Sequence, residues 1–198
     1  MTTITTAASR DAGARPGRPD QKSAFRSLLW LNVAGGLAVL GSYAHGIASN
    51  PLTRGDVWGG VPEGLRPLYT VSMLLAAAGY FAFSFFVFRR LDPHATRIAG
   101  GFGFGSFHIL YALILIPSAL WMPLTFSMLE APSGLLWLAI RVTLALVGVG
   151  SLGMLVAVAS ARPAHAPVAR AVAVAGAIAF SVQTALLDAL VWPAYFPG

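Results

Sequence analysis

Residues 134–160 of this chain read GLLWLAIRVTLALVGVGSLGMLVAVAS, an apolar run that contains one charged side chain, Arg141. A transmembrane helix needs roughly 20 mostly apolar residues to cross about 30 Å of hydrocarbon. Because lipid offers no hydrogen bonds to the backbone, a crossing segment must satisfy its own backbone groups, and a single apolar run does so as a helix. The stretch therefore predicts a transmembrane helix.

Four further apolar runs are long enough to cross a bilayer. They cover residues 27–48, 67–88, 98–122 and 168–192. Prolines stand near the ends of these runs, and the residue before a proline avoids the α conformation. We expect Pro123 and Pro132 to bracket the link after the third helix. The sequence predicts an all-α fold, a compact bundle of five transmembrane helices that forms one membrane domain over residues 25–198.

The composition excludes several classes of protein. Hydrophobic residues make up 57% of the 198 residues and charged residues 10%, whereas a soluble domain has about 25% charged residues. A cytosolic enzyme is therefore excluded. The chain has no cysteine, which excludes disulfides, cysteine-ligated metals and thiol nucleophiles. It also has no HExxH zinc motif and no Walker phosphate loop, so no metal or cofactor is predicted.

Basic residues alternate between the two ends of the predicted helices. Ten of the 13 Lys and Arg residues lie in the N-terminal tail and in the second and fourth links, whereas the opposite side has Arg54 and Arg66. Basic residues stay on the cytoplasmic side of a membrane. The bias predicts a cytoplasmic N-terminus, an outer C-terminus and a location in the bacterial inner (plasma) membrane. It also explains the net charge of +6 without nucleic acid as a partner.

Residues 1–24 differ in composition from the rest of the chain. They are rich in Thr, Ala, Gly, Pro and Arg and poor in bulky apolar residues. Such a segment cannot bury enough surface to fold alone. We expect a disordered basic cytoplasmic tail, and the alternative is a cleaved organelle transit peptide, for which the arginines and the scarcity of acids are typical.

Two glycines of the predicted third helix, Gly101 and Gly105, have GxxxG spacing. Small residues at this spacing let two membrane helices pack closely. The partner helix can belong to the same chain or to a second copy. We therefore expect a homo-oligomer or a larger membrane complex, with membrane lipid as the surrounding partner.

Three ionisable residues are predicted at one depth in the outer half of the membrane. Counting 1.5 Å per residue from each helix centre puts His45 about 12 Å, Arg141 about 9 Å and Asp188 about 10 Å outward. Arg141 and Asp188 should form an ion pair, because each charge alone is costly to bury. Thr184 and Gln183 lie close to Asp188 along the helix. The pair is either a structural clasp or the polar end of an outward-facing pocket.

His108 is predicted near the membrane centre, about 3 Å from the midpoint of the third helix. It shares a helix face with Gly101 and Gly105, and Tyr111 follows one turn later. One interpretation is a neutral histidine satisfied by a neighbouring helix. The other is a ligand contact or a member of a proton relay.

Three functional hypotheses follow. In the first, the protein binds or passes a small apolar or amphipathic ligand through an outer-half pocket. Arg141, Asp188 and His45 form the polar end of that pocket, and His108 and Tyr111 lie deeper. In the second, the protein is a non-catalytic structural or assembly subunit of a membrane complex. The third is a membrane-embedded lipid-modifying enzyme, which is the weakest because no nucleophile–base pair or metal set stands out.

Overall fold

The computed structural model describes residues 21–162 and 166–196. Within these ranges, five helices are long and apolar enough to cross a membrane, which confirms the all-α class and the number of helices. Their orientation in a membrane stays a prediction. The first four are α1 (Gln21–Ser49), α2 (Arg66–Arg90), α3 (Ser106–Glu130) and α4 (Gly134–Ser160).

The first helix begins earlier than the predicted boundary. Residues 21–24, assigned from the sequence to the tail, already belong to α1. Residues 1–20 of that tail lie outside the described ranges.

The fifth long helix changes its hydrogen-bond pattern along its length. It begins as α5 (Pro167–Ser181), continues as a π-helix over Val182–Val191 and ends in the short α6 (Trp192–Tyr195). A π-helix joins groups five residues apart instead of four, and such segments are rare and frequently found at functional sites. The three pieces together form one apolar span, Pro167–Tyr195.

The third helix is displaced along the chain from its predicted position. The sequence predicts residues 98–122, whereas α3 covers Ser106–Glu130. Pro123, expected in the following link, lies inside the helix together with Pro117. Membrane helices tolerate proline because neighbouring helices and local adjustments satisfy the freed backbone groups. Proline was therefore the wrong signal for the end of this helix.

Glycines set the start of α3. Gly100 and Gly101 have φ angles of +76° and +79°, a left-handed conformation that glycine adopts without steric penalty. Helix cannot continue through such a pair, so the segment before Ser106 is a turn. Gly101 thus lies outside the helix and Gly105 is its N-cap. A Cβ on Gly101 or Gly105 would meet no other atom within 4 Å, so the predicted GxxxG contact is not formed with another helix of this chain, and a contact with a second copy stays a prediction.

The helices pack in an order that differs from their order in the chain. α3 packs on α1 and α4, α4 packs on α5, and α2 packs on α5. The contact between α2 and α5 is close: a Cβ on Gly79 would collide with the carbonyl oxygen of Gly176, and one on Gly176 would lie 2.8 Å from the Cα of Gly79. Contact between small residues is how membrane helices associate without a hydrophobic driving force.

Two tyrosines connect α2 to α1 and α3. The Tyr80 hydroxyl donates to Oδ1 of Asn32 on α1 at 2.6 Å, and the Tyr111 hydroxyl of α3 lies 2.9 Å from Oγ of Ser84 on α2. Phe83 packs against both tyrosine rings, with centroid distances of 5.3 Å and 6.2 Å. Large aromatic side chains therefore fill the space between α2 and its neighbours.

The two ends of the bundle differ in charge. We call the end at which α2 and α4 stop and α3 and α5 begin the basic end, and the other the far end. After α1, the described part of the chain places five arginines at the basic end: Arg89, Arg90, Arg97, Arg162 and Arg170. The far end has Arg54, in the link between α1 and α2, and Arg66, the first residue of α2.

Candidate functional site

The π-helix places two polar side chains in contact near the far end. Nε2 of Gln183 donates to a carboxylate oxygen of Asp188 at 2.8 Å. In an α-helix, residues five apart point about 140° away from each other, whereas a π-helix, which joins backbone groups five residues apart, brings them toward the same face. The contact therefore depends on the π-helical geometry. Gln183 is buried, with 4% of its surface exposed, and Asp188 is half-buried.

Tyrosines from two other helices lie in the surroundings of the Asp188 carboxylate. Tyr43 on α1 and Tyr69 on α2 are close enough to interact with it electrostatically. The Tyr69 hydroxyl also donates to the backbone carbonyl of Leu187 at 3.3 Å. Three long helices thus contribute polar groups to the surroundings of Asp188.

Tryptophans form an aromatic wall beside this group. The Trp121 ring lies 5.6 Å from the Tyr43 ring and 5.7 Å from the Trp192 ring, and Trp192 lies 4.5 Å from Phe196. Nε1 of Trp192 donates to the carbonyl of Val57 at 3.0 Å. The link between α1 and α2 therefore contacts the end of the fifth long helix, four residues beyond Asp188.

Two buried polar atoms in this region lack a hydrogen-bond partner among the described residues. They are Oε1 of Gln183, an acceptor, and Nε1 of Trp121, a donor. Buried polar groups are hydrogen-bonded in the great majority of cases. The free acceptor belongs to the amide that contacts Asp188, and the free donor belongs to a ring that packs on Tyr43, so both atoms are available to a polar group that the chain itself does not supply.

The predicted ion pair between Arg141 and Asp188 is not formed. Over residues 21–162 and 166–196, the salt bridge present joins Arg66 to Glu63 at 3.9 Å. The Arg141 side chain is exposed, with its guanidinium carbon 5.9 Å from the Trp137 ring. The preceding residue, Ile140, is fully buried. Neighbouring residues of an α-helix point about 100° apart. The Arg141 side chain therefore points out of the bundle, whereas the Ile140 side chain points into it.

His45 and Thr184, which were also predicted near Asp188, have hydrogen-bond contacts that do not involve it. His45 is exposed, and its Nδ1 lies 3.3 Å from Oγ of Ser49, one turn along α1. The Thr184 hydroxyl is buried and donates to the carbonyl of Phe180 at 2.9 Å. Of the predicted residues, Gln183 is therefore the one that the structure brings into hydrogen-bond contact with Asp188.

His108 lies near the basic end of the bundle and not at the midpoint of its helix. It is the third residue of α3, because that helix begins later than predicted. Its Nε2 lies 2.8 Å from Oγ of Ser27 on α1. The two residues line a cavity of about 350 Å³ together with His94 and Phe104. The contact favours the interpretation of His108 as a histidine satisfied by a neighbouring helix.

Tyr111 does not share the surroundings of His108. It is fully buried and in hydrogen-bond contact with Ser84 across the bundle. Sequence reasoning missed Ser27, Tyr43, Tyr69 and Trp121 as neighbours of the candidate residues. Their relation to His108 or Asp188 arises from helix packing, and residue spacing along the chain contains no signal for it.

No protein-family model matches this chain, and neither the curated proteins nor the solved structures yielded a match. In the described ranges, no three His, Cys, Asp or Glu side chains come together as a metal site. The geometry around Asp188 is therefore the basis for a functional proposal.

Proposed function

We propose that this protein binds a small, largely apolar ligand within its helix bundle and that Asp188 and Gln183 hold the polar end of the ligand. The five helices are long and apolar enough to cross a membrane, and the proposed site lies about 10 Å inside the Tyr195 end of the fifth helix, counted at 1.5 Å per residue.

The observation that carries the proposal is the Asp188 carboxylate. No cationic side chain in the described ranges forms a salt bridge with it, and its hydrogen bond comes from the neutral amide of Gln183. Ionisable groups at membrane depth are costly and mark functional sites by default. A ligand with a cationic or hydrogen-bond-donating group would offset that cost.

The surroundings of Asp188 suit a ligand whose body is apolar. Tyr43, Trp121 and Trp192 present aromatic rings next to one another, and aromatic faces attract both apolar groups and cations. The unsatisfied atoms on Gln183 and Trp121 offer one acceptor and one donor that would orient the bound group.

In this proposal, Thr184 supports the π-helical backbone near the ligand through its bond to Phe180. Arg141 and His45, exposed on α4 and α1, belong to the outer surface around the site. His108 and Tyr111 act elsewhere, one near the basic end and the other in the centre of the bundle.

The test compares two small aromatic probes of similar size, benzylamine and benzyl alcohol. The purified full-length chain is placed in lipid nanodiscs, and its Tm is followed as each probe is added, because a ligand that binds the folded state raises Tm with concentration. We expect benzylamine to raise Tm more than benzyl alcohol. Asp188→Asn should abolish this difference, whereas the control Glu130→Gln, which removes an exposed acid at the end of α3, should retain it.

The alternative hypothesis, a structural or assembly subunit of a membrane complex, predicts another outcome. In that case Asp188 and Gln183 stabilise the π-helix and nothing else. Asp188→Asn would then change the Tm of the free protein, and the two probes would act alike on the wild type and on both variants. Equal responses of the wild type to benzylamine and benzyl alcohol would refute the proposed function.

A further inference from the structure

Three arginines from separate segments meet at the basic end of the bundle. Arg97 lies in the link between α2 and α3, Arg162 follows the end of α4, and Arg170 lies in the first turn of α5. All three line one cavity of about 360 Å³. The remaining lining residues are Ile98, Ala99, Ala159 and Ser160.

A backbone bridge holds two of the arginines side by side. The amide of Arg97 donates to the carbonyl of Arg162 at 2.9 Å, and the amide of Arg162 donates to the carbonyl of Arg97 at 2.8 Å. The amide of Ala99 donates to Oγ of Ser160 at 2.9 Å and strengthens the same connection. Like charges directly opposite on paired strands destabilise each other, so this arrangement favours an anion between them.

The described residues supply no such anion. Across residues 21–162 and 166–196, none of the three arginines forms a salt bridge, and the intervening residues 163–165 include no acidic residue. Arg170 donates through Nη2 to the carbonyl of Ala159, and Arg97 donates through Nη1 to the carbonyls of His94 and Thr96. Each guanidinium has five N–H donors, so these contacts leave donors available.

We propose that this cavity binds an anionic phosphate group. Guanidinium groups bind phosphate through paired, charge-assisted hydrogen bonds. Basic pockets between membrane helices on the cytoplasmic side bind the headgroups of anionic lipids, and this cavity lies at the helix ends, at the level where headgroups would lie. A soluble phosphate compound would offer the same chemistry.

The site is independent of the one proposed around Asp188. Arg170 and Asp188 are 18 residues apart on the fifth long helix, which corresponds to about 27 Å at 1.5 Å per residue. Failure of either proposal therefore leaves the other intact.

The test measures binding of three defined probes to the full-length protein in a neutral detergent by native mass spectrometry. The probes are phosphatidylglycerol, phosphatidylcholine and inorganic phosphate. The test variant is Arg97→Gln/Arg162→Gln, and the matched control is Arg89→Gln/Arg90→Gln, which removes two exposed arginines of the same end that do not line the cavity. Arg162→Gln alone serves if the double variant does not fold.

We expect phosphatidylglycerol to bind more tightly than phosphatidylcholine. The test variant should lose about tenfold in affinity or more, as expected for the loss of charged hydrogen bonds, and the control should bind like the wild type. Binding of inorganic phosphate that the test variant loses, without preference for the anionic lipid, supports a phosphate site with a soluble ligand. Equal loss in test and control variants, or no loss in either, overturns the proposal.

Discussion

The hydroxyl of Tyr69 on α2 donates to the backbone carbonyl of Leu187, the residue before Asp188, at 3.3 Å. The same carbonyl accepts the backbone amide of Trp192, five residues further on. A side chain of α2 is therefore hydrogen-bonded to the π-helix at the residue next to Asp188. This contact connects the packing of α2 to the geometry of the candidate site.

Removal of the Tyr69 hydroxyl should weaken the fold. Tyr69→Phe retains the ring and loses the bond to Leu187, so we expect a loss of about 1 kcal/mol in the free energy of unfolding. Tyr195→Phe is the control, because that side chain is exposed near the end of the chain. Reversible unfolding in detergent measures both variants. Equal stability of the two would mean that the Tyr69 bond contributes nothing.

A methyl group on Gly79 should disrupt the packing of α2 on α5. Gly79→Ala forces a Cβ into the carbonyl of Gly176, and we expect a loss of about 1–3 kcal/mol in the free energy of unfolding, as is typical of overpacking. Gly36→Ala on α1 is the matched control, because a Cβ there meets no other atom within 4 Å. If Gly36→Ala were the more destabilising of the two, the contact between Gly79 and Gly176 would be wrong.

The effects of Arg141 and Asp188 on stability should be independent. An ion-paired clasp predicts that Asp188→Asn partly rescues Arg141→Ala, since the second change removes the charge left alone by the first. The two side chains form no salt bridge in the structure, so we expect the effects to add within about 0.5 kcal/mol. A double-mutant cycle of the free energy of unfolding measures this. Rescue in the double variant would support the ion-paired clasp and contradict the separation of the two side chains.

The sidedness predicted from the arginines can be tested directly, because the chain has no native cysteine. Thr53→Cys places an exposed thiol in the first link, and Ala95→Cys places one in the link between α2 and α3. If the N-terminus is in the cytoplasm, a membrane-impermeant thiol reagent should label the Thr53 variant in intact cells. It should label the Ala95 variant only after the cells are lysed. The reverse pattern would invert the predicted orientation.

The number of long helices was predictable because it depends on local composition. Each of the five apolar runs yields one long helix. The bounds of α3 were not predictable from the prolines, since Pro117 and Pro123 lie inside the helix. The better signal was Gly100–Gly101, whose positive φ angles end any helix. Proline effects depend on neighbours, whereas the conformational freedom of glycine is local.

The candidate site was predictable as a set of polar residues within long apolar helices but not as a set of partners. Asp188 and Gln183 are both visible in the sequence, yet α-helical spacing places them on different faces. The pairing of Asp188 with Arg141 follows from charge, whereas the structure turns Arg141 away because Ile140 occupies the buried face of α4.

The sequence alone determined that the chain forms long apolar helices and how many, because a bilayer leaves backbone groups without partners unless each segment satisfies its own. The tertiary structure decided which side chains meet. Rotation of a helix about its axis and its local change from α to π depend on the surfaces that pack against it, and those surfaces belong to residues far away in the chain.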